Sequence, residues 1–430
     1  MDVLLIIGFT LFILITSIYI LKKNILFGIL YVFLFIYSIF AEIGYCFFPE
    51  FSELINAYFG KKSFYTFYFY NFFSFSFFFL LFVLFYKKIK KERKYEIKFD
   101  KNASIFLLFI LYILLYYTYL IGYFIFNYNT IDYQNASDPI FLQSSSVFYK
   151  TFAIFYKSLV GYGIIFYVQM KLKKSYNRIS YFSFSALRFL NIFNIIILFI
   201  ISTKIGSRTD ILAFIIGVII FESINGLNKK TIFYLTSLSL LIGVFLLFLE
   251  QKRLGEVNST VEVTLSQKIL LKDYFAPAHL LFTAINYEFI DPILVLKSNF
   301  ANSLILLNVD YLQMPITELI APGVANRSQG FAFYLFTEGY VFMGFFGFIY
   351  NALMLFFGLF IWYKIYNSNF KPFRIMVLTI MCTQVANLAR SQSSYFYKDI
   401  LVIFIPIFLF IYLSSGLRPK FSFFNSKNIF

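Results

Sequence analysis

Long, continuous apolar runs separated by short polar segments dominate this chain. Most runs extend over about 17–25 residues, which is the length an α-helix needs to cross a hydrocarbon core about 30 Å thick. They do not show the alternation of apolar and polar residues that is typical of strands in a membrane barrel. Because a lipid-exposed segment must satisfy its own backbone polar groups, the runs are predicted to be helices. The pattern predicts eleven membrane-spanning helices, at 3–21, 25–41, 64–86, 103–126, 147–170, 182–203, 211–226, 231–249, 331–361, 375–390 and 400–415.

Basic residues distinguish the two sides of the membrane. Every odd-numbered predicted helix is followed by a basic cluster, for example Lys22–Lys23 after the first and eight Lys and Arg residues within 87–101 after the third. Cytoplasmic connections are enriched in Lys and Arg, so this pattern predicts the N-terminus outside and the C-terminus inside. The alternative is that one weak run does not span the membrane, which would change this parity.

The even-numbered connections have a different composition, and the longest lies between the eighth and ninth helices. The connection 127–146 is polar and nearly uncharged, whereas 250–330 also contains short apolar pieces at 278–285 and 303–309. These pieces are too short to span, so they are predicted to be interfacial or re-entrant. Long loops with structure of their own are usually functional. We therefore expect a large, functional loop at 250–330 on the outer, non-cytoplasmic side.

Composition supports a single polytopic, all-α membrane domain over 1–430. Hydrophobic residues make up 60% of the chain and charged residues only 13%, against about 45–50% and 25% in soluble domains. The net charge of +16 does not indicate nucleic acid as a partner, because the lysines lie at the ends of the apolar runs. The single His and the widely separated Cys46 and Cys382 offer no zinc-site spacing, so no metal or other cofactor is expected. The first run has no basic region before it and is predicted to be a retained helix, not a signal peptide.

Four arginines lie at the predicted outer ends of helices, where the positive-inside pattern does not explain them. They are Arg208, Arg253, Arg327 and Arg390. The planar guanidinium group donates paired hydrogen bonds to phosphate oxygens. The set is therefore predicted to bind a pyrophosphate at the outer membrane surface. Pairing with nearby carboxylates or with lipid headgroups is the alternative.

Two residues are candidates for proton transfer. Glu338 lies inside the apolar run 331–361, where a carboxylate is costly unless it is paired or catalytic. His279, the only histidine, lies in the predicted outer loop, and a neutral imidazole acts as a base near neutral pH. The alternatives are a structural Glu–Arg pair and a solvated histidine. Asp210 and Glu288 are weaker outer-side candidates.

Three stretches together resemble the Wzy-type polymerases of oligosaccharide repeat units, which build O-antigen and related bacterial surface polysaccharides. The first is Gly206-Ser-Arg-Thr-Asp-Ile-Leu at the start of a helix. The second is the Gly-rich, Glu-containing stretch 330–358 after the long outer loop, and the third is Asn387-Leu-Ala-Arg-Ser-Gln before the last helix. The motifs are short, and the resemblance extends over the architecture of the whole chain.

The resemblance implies a membrane glycosyltransferase with a GT-C-like fold in the bacterial inner membrane. Its substrates would be undecaprenyl-pyrophosphate-linked oligosaccharides: the growing glycan moves onto a new lipid-linked repeat unit, and undecaprenyl pyrophosphate leaves. Membrane lipid and, as a candidate, a chain-length-regulating membrane protein are the other partners implied. Glu338 would be the first candidate base and His279 the second.

Two alternatives stay open from the sequence. An O-antigen ligase performs the same chemistry with a different acceptor. A lipid-linked oligosaccharide flippase is a transporter, and transporters commonly show repeated halves and charges near the middle of the membrane. The sequence shows no repeated halves, which favours an enzyme.

Overall fold

All regular elements in the described part of the chain are helices. The computed structural model describes residues 2–47, 49–86, 89, 158, 161, 189, 193, 276–303, 312–320, 333–367, 377, 380, 388–389 and 391–414. The helices in these ranges are α1 (Asp2–Lys23), α2 (Ile25–Phe47), α3 (Pro49–Phe85), α4 (Ala276–Asn286), α5 (Pro292–Ser303), α6 (Gln313–Ile320), α7 (Leu335–Met343), α8 (Gly347–Tyr366) and α9 (Tyr395–Ser414). The predicted runs 103–126, 147–170, 182–203, 211–226 and 231–249, and most of 375–390, lie outside the described residues.

Three described segments are long and apolar enough to cross a bilayer. They are Leu4–Lys23 in α1, Lys62–Phe85 in α3, and Leu335–Tyr366, which comprises α7 and α8. The helices predicted at 3–21, 25–41, 64–86 and 400–415 are present as α1, α2, α3 and α9. The chain is therefore an all-α membrane protein in its described part.

Helix α3 begins fifteen residues before the apolar run at 64–86 that predicted it, because hydropathy marks only the part suited to lipid. Its first residue is Pro49. Proline is favoured at the first position of a helix, where its missing N–H would have no intrahelical acceptor. Residues 50–61, which include Glu50, Glu53 and Lys61, are helical and extend α3 beyond the candidate span.

An aromatic cluster joins the first three helices to α7. The Phe75 ring lies 5.1 Å from the Tyr31 ring on α2 and 5.1 Å from the Phe336 ring on α7. The Phe9 ring on α1 lies 6.3 Å from the Phe75 ring. Tilted and edge-to-face aromatic pairs of this kind stabilise packing beyond the area that they bury. The cluster therefore fixes α7 against the helices of the N-terminal part.

The predicted ninth crossing, 331–361, is not one straight helix, and this corrects the sequence analysis. Gly344 ends α7 with φ 59°, a left-handed conformation that glycine adopts without strain. The chain then folds back, so that the Asn351 side chain of α8 bonds the Phe336 carbonyl oxygen of α7 at 2.9 Å. In a continuous helix these residues would be about 22 Å apart. The nine residues of α7 reach only about 14 Å, whereas the twenty of α8 reach about 30 Å, the thickness of the hydrocarbon core.

Within the long connection 250–330, the described residues form helices α4, α5 and α6, and α4 and α5 pack on the candidate spans. The apolar piece predicted at 278–285 lies in α4, whose Phe282 ring stacks on Phe67 of α3 at 4.1 Å. Helix α5 follows it and is joined to α7 by a hydrogen bond from the Asp291 backbone N–H to the Val341 carbonyl, 2.8 Å long. The piece at 303–309 lies almost entirely outside the described residues. The described part of this connection therefore packs against membrane helices.

The orientation predicted from the basic clusters leads to a labelling prediction. In a background in which Cys46 and Cys382 are replaced by Ser, Asn258→Cys should react with a membrane-impermeant maleimide in intact cells. Cysteine at Lys229, in a predicted cytoplasmic connection, is the matched control and should react only after lysis. The reverse pattern would show that the predicted orientation is inverted.

Candidate functional site

The carboxylate of Glu338 is buried in the first turn of α7, and its exposed fraction is 1%. Its oxygen Oε1 accepts hydrogen bonds from Asn299 Nδ2, the Tyr350 hydroxyl and the Ser393 hydroxyl, each 2.6 Å long. Its other oxygen, Oε2, accepts one from the Ser393 backbone N–H at 2.7 Å. We call these four residues the Glu338 cluster. An ionised carboxylate only accepts hydrogen bonds, so four converging donors match its ionised form.

Three separate parts of the chain deliver these donors. Asn299 comes from α5 in the long connection, Tyr350 from α8, and Ser393 from the segment just before α9. Asn299 also donates to the Tyr350 hydroxyl at 3.2 Å, so the donors are linked to one another. Within the described residues, all partners of Glu338 are neutral. No arginine is among the described residues, so the pairing of Glu338 with an arginine, which the sequence left open, stays a prediction.

The fold-back of α7 onto α8 places Glu338 at the centre of this cluster. A methyl group at Gly339 would overlap the Gly347 carbonyl oxygen and the Asn351 side chain, so the two helices approach at backbone distance. Asn351 joins them: it accepts from the Gly339 N–H at 3.0 Å and donates to the Phe336 carbonyl. Gly339 and Gly347 therefore allow the close approach of α7 and α8, while Gly344 makes the turn.

The segment that flanks Arg390 is attached to the same helix. The first N–H of α7, that of Leu335, donates to the Ala389 carbonyl at 3.3 Å. Gln392 accepts a hydrogen bond from the Ser298 hydroxyl of α5 at 2.8 Å, and Ser393 bonds Glu338. The stretch 330–358 and the stretch that begins at Asn387 lie far apart in sequence but are in contact at this site.

A second buried carboxylate, Glu42 near the end of α2, was missed by the sequence analysis. It is fully buried, and its Oε1 accepts one hydrogen bond from the Ser38 hydroxyl at 2.8 Å. Its Oε2 has no hydrogen-bond partner among the described residues. Close by, the Tyr334 hydroxyl donates to Asn71 Oδ1 at 3.1 Å. A lone carboxylate in an apolar helix could have been recognised from the sequence, since Glu42 is the only charged residue of α2. It was missed because the predicted run ended at position 41.

Most of the other predicted site residues lie outside the described part of the chain. Arg208, Arg253, Arg327 and Arg390, and also Asp210, lie outside the described residues. His279 lies in the first turn of α4. Glu288 is exposed in the turn after α4, with φ 48°. In the described ranges, no three or more His, Cys, Asp or Glu side chains group closely enough to hold a metal ion.

Comparisons with protein-family models, with curated proteins and with solved structures found no match to this chain.

Proposed function

We propose that this protein is a membrane glycosyltransferase that polymerises undecaprenyl-pyrophosphate-linked oligosaccharide repeat units on the outer face of a bacterial inner membrane. The observation that supports the proposal best is the contact between Glu338 and the segment flanking Arg390. One of the stretches that resemble the Wzy-type polymerases contains Glu338, and another, 387–392, ends at the residue before Ser393, which bonds Glu338. A candidate base and a candidate pyrophosphate-binding segment are thereby neighbours.

The reaction needs two kinds of group at one place. The acceptor sugar hydroxyl attacks the anomeric carbon of the donor, the bond from that carbon to the pyrophosphate oxygen breaks, and its electron pair leaves with undecaprenyl pyrophosphate. Arginine side chains would stabilise the negative charge that develops on the leaving pyrophosphate. Glu338 would take the proton of the attacking hydroxyl, a role for which a base must lie within hydrogen-bonding reach.

The present arrangement sets a condition on this role of Glu338. Oε1 already accepts three hydrogen bonds and the side chain is only 1% exposed, so a neighbouring group must move before an acceptor hydroxyl reaches the carboxylate. Asn299 is partly exposed on a short helix of the outer connection, and its displacement would open the carboxylate from that side. Tyr350 and the Ser393 backbone would hold the carboxylate in place meanwhile.

A deletion strain separates this function from its two rivals. Loss of a polymerase leaves single repeat units that still reach the cell surface. Loss of a flippase prevents the units from reaching the surface, and loss of a ligase leaves finished polymer on its lipid carrier. Polymer retained on the carrier, or units trapped inside, would refute the polymerase assignment.

The arginine hypothesis gives a second test of this function. Arg208→Ala and Arg390→Ala should abolish polymer while the protein stays in the membrane. Lys at either position should restore only part of the activity, because it lacks the planar fork of donors. Each charged hydrogen bond contributes about 1.5–3 kcal/mol, which is roughly tenfold to more than a hundredfold in rate if it forms only in the transition state.

Arg418→Ala is the matched control for the arginine variants. Arg418 lies in the basic segment after the last predicted helix, on the predicted cytoplasmic side, so its replacement should leave the polymer ladder unchanged. Wild-type ladders from both Arg208→Ala and Arg390→Ala would show that these arginines are structural.

A further inference from the structure

Helix α5 exposes large apolar side chains although two of its polar side chains point inward, which is unusual for a helix in water. Its large apolar side chains at i, i+3 and i+7 are exposed: Ile293 by 63%, Leu296 by 58% and Phe300 by 67%. Its polar residues Ser298 and Asn299 point inward, to Gln392 and Glu338. A soluble surface helix turns its apolar stripe to the protein and its polar face to water. The medium outside α5 is therefore expected to be apolar.

Exposed apolar residues also lie just before α5 and in the turn between α7 and α8. Ile290, which is 52% exposed, lies against Gly344 in that turn. The following residues, Phe345 and Phe346, are 37% and 66% exposed. An exposed apolar patch of this kind marks contact with a partner or a membrane.

The same surface also reaches a candidate membrane span. The Phe345 ring lies 6.0 Å from the ring of Phe73. Phe73 is 40% exposed on Lys62–Phe85, one of the three described segments suited to crossing a bilayer. The surface thus extends from a span, through the turn, to a helix of the long connection. We call it the α5 surface, formed by Ile290, Ile293, Leu296, Phe300, Phe345 and Phe346.

We propose that bilayer hydrocarbon covers the α5 surface, so that α5 is a lipid-embedded element of the connection 250–330. The twelve residues of α5 are about 18 Å long, too short to cross a core of about 30 Å. The helix therefore lies at the membrane interface or enters the membrane from one side only. Lys297 is exposed beside Leu296, and its long side chain reaches the headgroups from an interfacial position.

This placement sets the depth of the Glu338 cluster. Asn299 lies on the inward side of the same helix whose outward side would contact lipid, so the carboxylate would lie at the same depth in the membrane as α5. The proposal rests on the exposure pattern alone and does not depend on glycosyl transfer.

Tryptophan quenching in vesicles tests the proposal on the full-length protein. Leu296→Trp and, separately, Phe300→Trp are reconstituted in phosphatidylcholine vesicles with or without bromine on the acyl chains. The only native tryptophan, Trp362, is fully buried, and the wild-type protein gives its contribution for subtraction. The added tryptophan should emit at short wavelength, lose most of its emission in brominated lipid and resist iodide in the aqueous phase.

Leu11→Trp is the matched control, because Leu11 is 52% exposed on the candidate span Leu4–Lys23. It should be quenched by brominated lipid to a similar extent. If both α5 variants emit at long wavelength and are quenched by iodide alone, the α5 surface faces water. If both resist brominated lipid and iodide alike, a protein surface covers it. Either result overturns the proposal. Phe300→Trp exchanges one aromatic ring for another, so it provides the test if Leu296→Trp does not fold.

Discussion

Glu338→Gln is expected to lower the rate of polymer formation by about 10²–10⁴-fold, the usual contribution of a general base. The amide keeps the shape of the side chain but removes its basicity. Its NH₂ group would also face donors at a place where an oxygen now accepts hydrogen bonds. A buried donor left without an acceptor costs about 1–3 kcal/mol. The melting temperature should therefore fall as well, and turnover must be measured on the folded fraction.

Tyr350→Phe separates the effect of lost basicity on the rate from the effect of a lost hydrogen bond on stability. It removes one of the four hydrogen bonds to Glu338 but keeps the carboxylate, so the loss of stability should resemble that of Glu338→Gln. The rate per folded molecule should fall much less, because the base is still present. If Glu338→Gln melts early but turns over normally once folded, the carboxylate is structural, and His279 becomes the leading candidate base.

Gly347→Ala is expected to prevent the fold-back of α7 onto α8. The added methyl group would overlap the Gly339 carbonyl oxygen, and backbone atoms cannot rotate away as a flexible side chain does. Ordinary overpacking costs about 1–3 kcal/mol, and a contact between backbones should cost more than that. The variant should yield little folded protein in the membrane, as measured by detergent-resistant monodispersity and by a lowered melting temperature.

Gly8→Ala is the matched control for this prediction. A methyl group at Gly8 meets no other atom within 4 Å, and Gly8 also lies in an apolar membrane helix. It should be neutral or slightly stabilising, because alanine favours the helix by about 1 kcal/mol over glycine. Equal stability of Gly347→Ala and Gly8→Ala would contradict the close contact between α7 and α8.

The sequence determined where the described membrane helices lie. Runs of apolar residues long enough for lipid predicted α1, α2, α3 and α9, because the length of an apolar segment is a local property of the chain. The same reasoning singled out Glu338, since a carboxylate among apolar neighbours is costly without partners. It missed Glu42 only because the apolar run that contains Ser38 was ended at position 41.

The tertiary structure alone decided what surrounds Glu338. The run 331–361 was predicted to be one crossing because apolar composition carries no information on the direction of the chain. In the structure, the chain turns back at Gly344, which has a positive φ. Asn299 and Ser393 are 39 and 55 residues from Glu338. Their convergence depends on how α5, α7 and the segment before α9 pack together. Hydrogen bonds between such distant residues have no local sequence signature, because they form only when the packing brings donor and acceptor within 3 Å.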